Sequence, residues 1–224
     1  MSNFWITVTA LAGYLLGALP FGYLVAKAHG VDIFKAGSGN PGATNVKRVL
    51  GAKAGNTVLV LDMLKGAAAT AWPLLPFVDE ERKIVLQLIG VVAAVIGHAF
   101  SVFTRFKGGK SVATAAGGLF VLIPLAGAIA GATWVVAFYA FRYVSLASIL
   151  AAIAIIAASW LLPYHVAVAV ITTVLATFVI VRHHENIRRL LNGTENRFVK
   201  KSAAPAPMPT AAGAADADAK KSTP

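Results

Sequence analysis

The stretch Ser111–Phe141 reads SVATAAGGLFVLIPLAGAIAGATWVVAFYAF and contains 31 consecutive residues without a charged side chain. A transmembrane helix needs about 20 apolar residues, so this stretch is too long for one ordinary span and short for two. Pro124 and Gly127 lie near its middle and favour a turn between two helices. The topology of the whole chain depends on whether this stretch crosses a membrane once or twice.

The composition predicts an all-α integral membrane protein. Of 224 residues, 58% are hydrophobic and 13% are charged, and the mean hydropathy is +0.73. Soluble domains are about 45–50% apolar and about 25% charged. The net charge of +11 is therefore expected to report membrane orientation rather than nucleic-acid binding. The absence of cysteine excludes disulfides, thiolate metal sites and an acyl-cysteine intermediate.

Five further segments are candidate membrane spans, of which His165–Val181 is slightly short but ends at Arg182, whose long side chain can reach the interface. The spacing predicts that the N-terminal segment is a retained helix, since no basic residues precede it as in a cleaved signal. One segment is interrupted by Asp62 and Lys65, which are expected to pair and to face the bundle interior. The segments are Phe4–Ala26, Gly55–Val78, Ile84–Phe103, Tyr143–Leu162 and His165–Val181.

The distribution of basic residues favours seven helices. If Ser111–Phe141 forms two helices, every basic loop except Arg82–Lys83 falls on one side of the membrane. The positive-inside rule then places the N-terminus outside and the C-terminus in the cytoplasm. We expect residues 1–201 to form this membrane domain. Residues 202–224 are rich in Ala and Pro, cannot bury a core, and are expected to be a disordered tail.

Three polar segments from distant parts of the chain are predicted to meet at the cytoplasmic surface. The first is GSGNPGATNVKR at 37–48, whose glycines permit backbone N–H groups to converge on an anion. Arg48 adds a fork-shaped cation that matches phosphate. The alternative is a plain surface turn. The candidate binding residues are Gly37, Ser38, Gly39, Asn40, Gly42, Thr44, Asn45 and Arg48.

The second segment contains Lys107, Gly108, Gly109 and Lys110, directly before an apolar helix. Paired glycines expose N–H groups, and the helix start and the two lysines add positive charge. The end of the segment imitates a nucleotide P-loop, but Thr104 stands where that motif requires glycine, which excludes an NTPase. Ordinary positive-inside lysines would explain the charge but not the glycines.

The third segment follows the last predicted span. His183 and Asn186 are three residues apart, so on a continuing helix they share a face and can meet one ligand. A histidine at this position can act as a base or a hydrogen-bond donor near neutral pH. The alternative is an ordinary histidine at the membrane interface without a catalytic role. Ser145, close to Arg142, is a further candidate for the same pocket. Asp62 and Lys65 either brace the cavity or fix packing.

These segments closely resemble the PlsY family of bacterial acyl-phosphate:glycerol-3-phosphate acyltransferases. The matching motifs are GSGNPGATNVKR, GH-x-x-S-x-F-x-x-FKGGKSVAT and H-x-x-NI-x-RLLNGTE, and the resemblance runs from the first helix to about Lys201. The chain departs from the family pattern at Ser101, where proline is common, and at Ser111, where glycine usually continues the second motif.

The resemblance implies a seven-helix inner-membrane enzyme that transfers an acyl group from acyl phosphate to the 1-hydroxyl of glycerol 3-phosphate. Its products would be lysophosphatidic acid and phosphate, with the acyl chain along membrane lipid. Ser38, Asn45 and Arg48 would belong to the first phosphate-binding loop. Lys107 with Gly108–Gly109 would form the second, and His183 and Asn186 would position substrate at the reacting centre.

The residues themselves predict direct displacement. Acyl phosphate is already activated, and no cysteine or Ser–His–Asp arrangement is evident. No carboxylate or His/Cys cluster indicates a metal, so no cofactor is expected. An organic-anion transporter and an acyl-CoA-dependent transferase remain as alternatives. The sequence does not set the oligomeric state, and a monomer fits it.

Overall fold

The structure is a computed structural model that describes residues 3–198, in which every regular element is helical. The expected all-α class is therefore confirmed for this part of the chain. The predicted tail at 202–224 and the domain boundary at residue 201 lie outside the described residues.

Ten α-helices and two short 3₁₀ turns follow one another over residues 3–198. The 3₁₀ turns are Trp72–Leu74 and Val102–Thr104. The helices are α1 (Asn3–Ala18), α2 (Phe21–Ala28), α3 (Ala43–Leu50), α4 (Ala52–Ala71), α5 (Glu80–Ala99), α6 (Val112–Leu122), α7 (Pro124–Phe141), α8 (Val144–Leu161), α9 (Val166–Val181) and α10 (His184–Leu191).

The long uncharged stretch forms two helices, as predicted. The break falls at Ile123, whose φ of −137° is extended, and Pro124 begins α7. Proline disfavours a helical conformation in the residue before it and is well suited to the first helical position. Helix α6 has 11 residues. It is therefore about 16 Å long, roughly half the thickness of the hydrocarbon layer.

The first predicted span is interrupted, which the sequence analysis did not anticipate. Helix α1 ends at Ala18, and α2 begins at Phe21, after Pro20. Proline lacks an N–H group and its ring clashes with the preceding turn, so the helix breaks here. The carbonyl of Leu19 at the break accepts a hydrogen bond of 2.8 Å from Lys65 Nζ.

Four helical segments in residues 3–198 are long and apolar enough to cross a membrane: α1 with α2, α5, α7 and α8. The bent pair α9–α10 would be a fifth. Helix α6 is shorter than an ordinary span, and α4 carries Asp62 and Lys65 within its length. Seven spans and the orientation of the termini therefore stay predictions.

Close packing of α4 against α6 sets the floor of the site. A Cβ on Gly66 would lie 2.0 Å from the carbonyl oxygen of Thr114, and a Cβ on Gly117 would lie 2.0 Å from that of Met63. Small residues allow membrane helices to approach at backbone distance. Asp62 of α4 and the first residues of α6 line the same cavity.

Candidate active site

A cavity of about 260 Å³ lies where the loop before α3 meets the first turns of α6, α8 and α10. All three polar segments contribute to its walls. The predicted residues that line it are Ser38, Gly39, Asn40, Gly42, Thr44, Asn45, Arg48, Lys110, Ser145, His183 and Asn186.

Asn45 fixes the conformation of the first loop through two hydrogen bonds. Its Oδ1 accepts the Ser38 N–H at 2.9 Å, and its Nδ2 donates to the Ala36 carbonyl at 2.9 Å. A Cβ on Gly37 would lie 2.3 Å from Asn45 Oδ1, so glycine makes room for the buried amide. Gly37 also has a φ of +59°, which favours glycine. Gly37 itself lies outside the cavity walls and supports the loop that forms them.

The start of α3 adds backbone donors to the same wall. Gly42 is the N-cap residue of α3, and no side chain caps this helix end. The first N–H groups of a helix lack partners within it and favour anions. Arg48, one turn further on, is exposed at the cavity and lies 6.0 Å from the ring centre of Phe198.

Only one of the two predicted lysines of the second loop reaches the cavity. Lys110 lines it, whereas Lys107, Gly108 and Gly109 line a smaller neighbouring cavity of about 20 Å³. The reason is that the two glycines pack on the end of α5, where a Cβ on Gly108 would lie 2.0 Å from the His98 carbonyl oxygen. This turn leaves Lys107 exposed on the outer side.

Ser111, the departure from the family motif, adopts a left-handed conformation with a φ of +61°. Glycine tolerates this region without cost, whereas other residues are strained there. The Ser111 hydroxyl donates a 2.9 Å hydrogen bond to the Val95 carbonyl, which offsets part of that cost. At Ser101 the φ is −67°, a value that proline also adopts, and the hydroxyl donates to the Ala18 carbonyl at 2.6 Å.

The helix does not continue straight from the last span through His183 and Asn186. The chain bends by 56° between α9 and α10, and His183 is the residue before α10. Both side chains nevertheless line the cavity. The bend brings the first turn of α10 over the cavity, which a straight continuation of α9 would not do.

The protonation state of His183 is set by its surroundings. Its Nδ1 lies 2.7 Å from the Val179 carbonyl oxygen, so Nδ1 carries the proton and Nε2 is a free acceptor. Burial lowers the pKa of His183 to about 4. The imidazole is therefore neutral at neutral pH and accepts hydrogen bonds through Nε2.

A hydrogen-bond network joins the second and third segments at Asn186. Lys110 Nζ donates to Asn186 Oδ1. Asn186 Nδ2 and Ser145 Oγ both donate to Glu195 Oε1, at 2.7 and 2.8 Å, and Arg189 Nε donates to Glu195 Oε2 at 2.7 Å. Burial opposes ionisation of Glu195, but these three hydrogen bonds hold its pKa below the usual value.

The surroundings of Lys110 lower its pKa as well, which for a lysine disfavours the charged form. Burial, together with the nearby positive charge of Arg189, lowers the pKa of Lys110 to about 8. Lys110 is therefore mostly charged at neutral pH and loses its charge just above it. Lys110, Arg48 and Arg189 are the cations that line the cavity, and of these Arg189 is paired with Glu195.

Several residues at the cavity were missed by sequence reasoning. Glu195 and Arg189 lie inside the third quoted segment, but their roles depend on the chain folding back after α10. Asp62 and His98 form part of the floor, and the expected pairing of Asp62 with Lys65 is confirmed by a distance of 2.8 Å. Trp134 of α7 also lines the cavity, and the sequence held no signal for it.

Apolar side chains form part of the cavity wall. Leu59, Val112, Trp134 and Val144 line it, and Leu59 is exposed on the outer surface of α4. An acyl chain fits such a wall, since burial of each methylene is favourable by about 0.8 kcal/mol. Within residues 3–198 no group of three or more His, Asp or Glu side chains is placed to hold a metal ion.

A fold with helices of membrane-spanning length and a cavity lined by backbone donors, cations and apolar side chains is typical of a membrane protein that binds anionic, lipid-like molecules. The family model for glycerol-3-phosphate acyltransferase matches residues 7–193. Glycerol-3-phosphate acyltransferase of Bacillus subtilis (strain 168) is 42% identical over 191 residues, which is 85% of this chain and 96% of the relative. That of Syntrophotalea carbinolica is 45% identical over 203 residues, covering 88% and 99%.

Solved structures agree with the sequence relatives. Crystal structures of PlsY, an integral membrane glycerol 3-phosphate acyltransferase, are 40% identical to this chain in a glycerol 3-phosphate form and a lysophosphatidic acid form. The TM-scores are 0.81 and 0.79, with 87% of this chain and 96% and 95% of the PlsY chains covered. The chain belongs to the glycerol-3-phosphate acyltransferase family, and it is an integral membrane acyltransferase of phospholipid synthesis.

Proposed function

We propose that the acyl donor is acyl phosphate and that the acyl group goes to the 1-hydroxyl of glycerol 3-phosphate. The products are lysophosphatidic acid and phosphate. The observation that carries this proposal is the set of residues that line the cavity of about 260 Å³. N–H donors at the start of α3, Arg48 and Lys110 suit two phosphate groups, and the apolar wall beside Trp134 suits the acyl chain.

The reaction we propose is a direct displacement. The 1-hydroxyl oxygen forms a bond to the acyl carbon, and the bond between that carbon and the phosphate oxygen breaks. Phosphate leaves with the electron pair. Cations and N–H groups balance the negative charge that develops, and holding both substrates together supplies much of the rate. In this scheme Ser38 and Asn186, which both line the cavity, donate hydrogen bonds to the reacting groups.

His183 orients the attacking hydroxyl in this scheme. Its unprotonated Nε2 accepts a hydrogen bond from the hydroxyl, but a pKa of about 4 makes it a weak base. The departing phosphate is the stronger base and takes the proton. A covalent acyl-enzyme is unnecessary, and Ser145 Oγ is engaged with Glu195.

The position of the cavity supports seven spans. Lys110 precedes α6 and Ser145 lies in the first turn of α8, and both line the same cavity. The chain therefore leaves this face along α6 and returns along α7. An even number of passages also separates the second segment from the third, which agrees with α6 and α7 as distinct passages. With basic loops on this face, we place it at the cytoplasmic side of a bacterial inner membrane.

The test is an assay of the purified protein in detergent with glycerol 3-phosphate and either acyl phosphate or acyl-CoA. We expect lysophosphatidic acid and free phosphate with acyl phosphate, and no product with acyl-CoA. Turnover with acyl-CoA alone would overturn the proposed donor. A protein-bound acyl group after incubation with acyl phosphate alone would overturn direct displacement.

A further inference from the structure

Asp62 and Lys65 of α4 and His98 of α5 form a buried charged cluster beneath the active site. Asp62 Oδ1 lies 2.8 Å from Lys65 Nζ and 3.6 Å from His98 Nδ1. The side chains of Asp62 and Lys65 are 3% and 2% exposed. Ionisable groups within membrane helices are costly and mark functional positions. Lys65 accounts for the charge of Asp62, but it leaves the presence of His98 unexplained.

Asp62 and His98 form the partition between the two cavities. Both residues line the main cavity, and both also line the smaller cavity beneath Lys107, Gly108 and Gly109. A change in either side chain therefore alters the walls of both cavities, the main cavity and the one next to the Gly108–Gly109 turn.

His98 supports the second loop directly. The Gly109 N–H donates to the His98 carbonyl at 3.2 Å. A Cβ on Gly109 would lie 2.3 Å from His98 Nε2, so the imidazole occupies the space that a side chain at position 109 would take. Arg182 holds the loop from another side by donating to the Gly109 carbonyl at 3.0 Å. Lys110, the next residue, extends from this clamped turn into the main cavity.

His98 Nδ1 is buried and has no hydrogen-bond partner among residues 3–198. It faces Asp62 Oδ1 at 3.6 Å, which is longer than a hydrogen bond. Hydrogen bonds at active sites are often long in the substrate-free enzyme and shorten in the complex. A small movement of the imidazole towards Asp62 would complete this bond and shift the support under Gly109.

We propose that Asp62 and His98 are positioning residues, in which Asp62 orients the imidazole of His98 and the imidazole holds the Gly108–Gly109 turn so that Lys110 reaches a substrate phosphate. Neither residue touches substrate in this scheme. The inference rests on the role of Lys110 in the proposed function.

The contact between loop and imidazole is tested with a double-mutant cycle of His98→Ala and Gly109→Ala. Gly109 does not have a positive φ, so its alanine variant is strained by the imidazole rather than by the backbone. Each single variant is expected to lower kcat/KM by about 10- to 100-fold, as small misplacements at active sites do. The double variant is expected to be no worse than the poorer single variant. Effects that multiply would show that the two residues act independently and would overturn the proposal.

The path from Asp62 to Lys110 is tested with Asp62→Asn, which keeps the size of the side chain and removes its charge. We expect kcat/KM per folded enzyme to fall in the otherwise unchanged protein, with no further loss in a Lys110→Ala background. The matched control is Thr70→Val on the same helix, which removes a buried hydrogen bond to the Gly66 carbonyl; neither Thr70 nor Gly66 lines either cavity. We expect it to change thermal stability alone.

Unchanged kinetics in folded Asp62→Asn, or an equal further loss in the Lys110→Ala background, would overturn the positioning role. The wild-type protein is assayed first with acyl phosphate and with acyl-CoA, and the variants use whichever donor it accepts. Failure of the proposed donor is thereby separated from failure of this inference.

Discussion

Arg48 is exposed at the mouth of the cavity, and its described contact is the ring of Phe198. We expect Arg48→Ala to raise KM for a phosphate substrate by about 10- to 100-fold, since a hydrogen bond to a charged group contributes about 1.5–3 kcal/mol. Lys47→Ala is the matched control, because this neighbouring cation bonds Asn56 and lies outside the cavity. An unchanged KM in folded Arg48→Ala would remove this residue from the site.

At His183, an orienting role and a base role predict different effects of substitution on kcat. Glutamine places a polar atom near the Nε2 position but has no basic lone pair. If His183 orients the hydroxyl, we expect His183→Ala to lower kcat by at least about 100-fold and His183→Gln to recover part of that loss. Steady-state kinetics with both substrates saturating distinguish the two. Glutamine as inactive as alanine would favour a base. His184→Ala, at an exposed neighbour, is the control.

Lys110 predicts a pH limit on the alkaline side. Its pKa of about 8 means that its charge is present at neutral pH and is lost as the pH rises through 8. We therefore expect kcat/KM, which reports the free enzyme, to fall above about pH 8. Lys110→Arg keeps its charge and should remove this limb, whereas Lys107→Arg should retain it. An alkaline limb that persists in Lys110→Arg would assign it to another group.

At the scale of helices, the passages of α6 and α7 decide which surface each loop occupies. The chain has no cysteine, so single cysteines report accessibility without background. We expect cysteines at Lys35, Arg105 and Asn192 to be labelled from one side of sealed vesicles, and cysteines at Glu81 and His165 from the other. If Asn192 is labelled with Glu81, Ser111–Phe141 crosses once and the seven-span arrangement is wrong.

At the scale of the whole molecule, the chain after α10 folds back across the cavity. Glu195 accepts three hydrogen bonds there, and the Phe198 N–H donates to the Arg142 carbonyl at 2.9 Å. We expect a chain that ends at Lys201 to keep wild-type kcat and KM, because residues 202–224 add no predicted site residue. A chain that ends at Asn192 should lose activity, and thermal unfolding in detergent checks that it still folds. Loss of activity in the chain that ends at Lys201 would contradict this prediction and would show that residues 202–224 contribute to activity.

Local sequence patterns predicted the helices of this protein and the segments that form its cavity. The uncharged runs predicted the helices, because a segment that crosses lipid must satisfy its backbone hydrogen bonds internally. Pro124 predicted the break between α6 and α7, because proline acts on its immediate neighbours. The glycine- and amide-rich motifs predicted which segments contribute to the cavity, since such motifs depend on residues close together in the chain.

Features that depend on contacts between distant residues could not be predicted from local sequence patterns. Lys107 and Lys110 are equivalent by composition, and only the packing of Gly108–Gly109 on α5 turns one outward and the other into the cavity. Glu195 became part of the site because the chain reverses after α10, and Trp134 because α7 packs beside α8. Asp62 and His98 meet only because α4 and α5 pack together. Contacts between remote helices are set by the balance of packing over the whole bundle, which no short window of sequence contains.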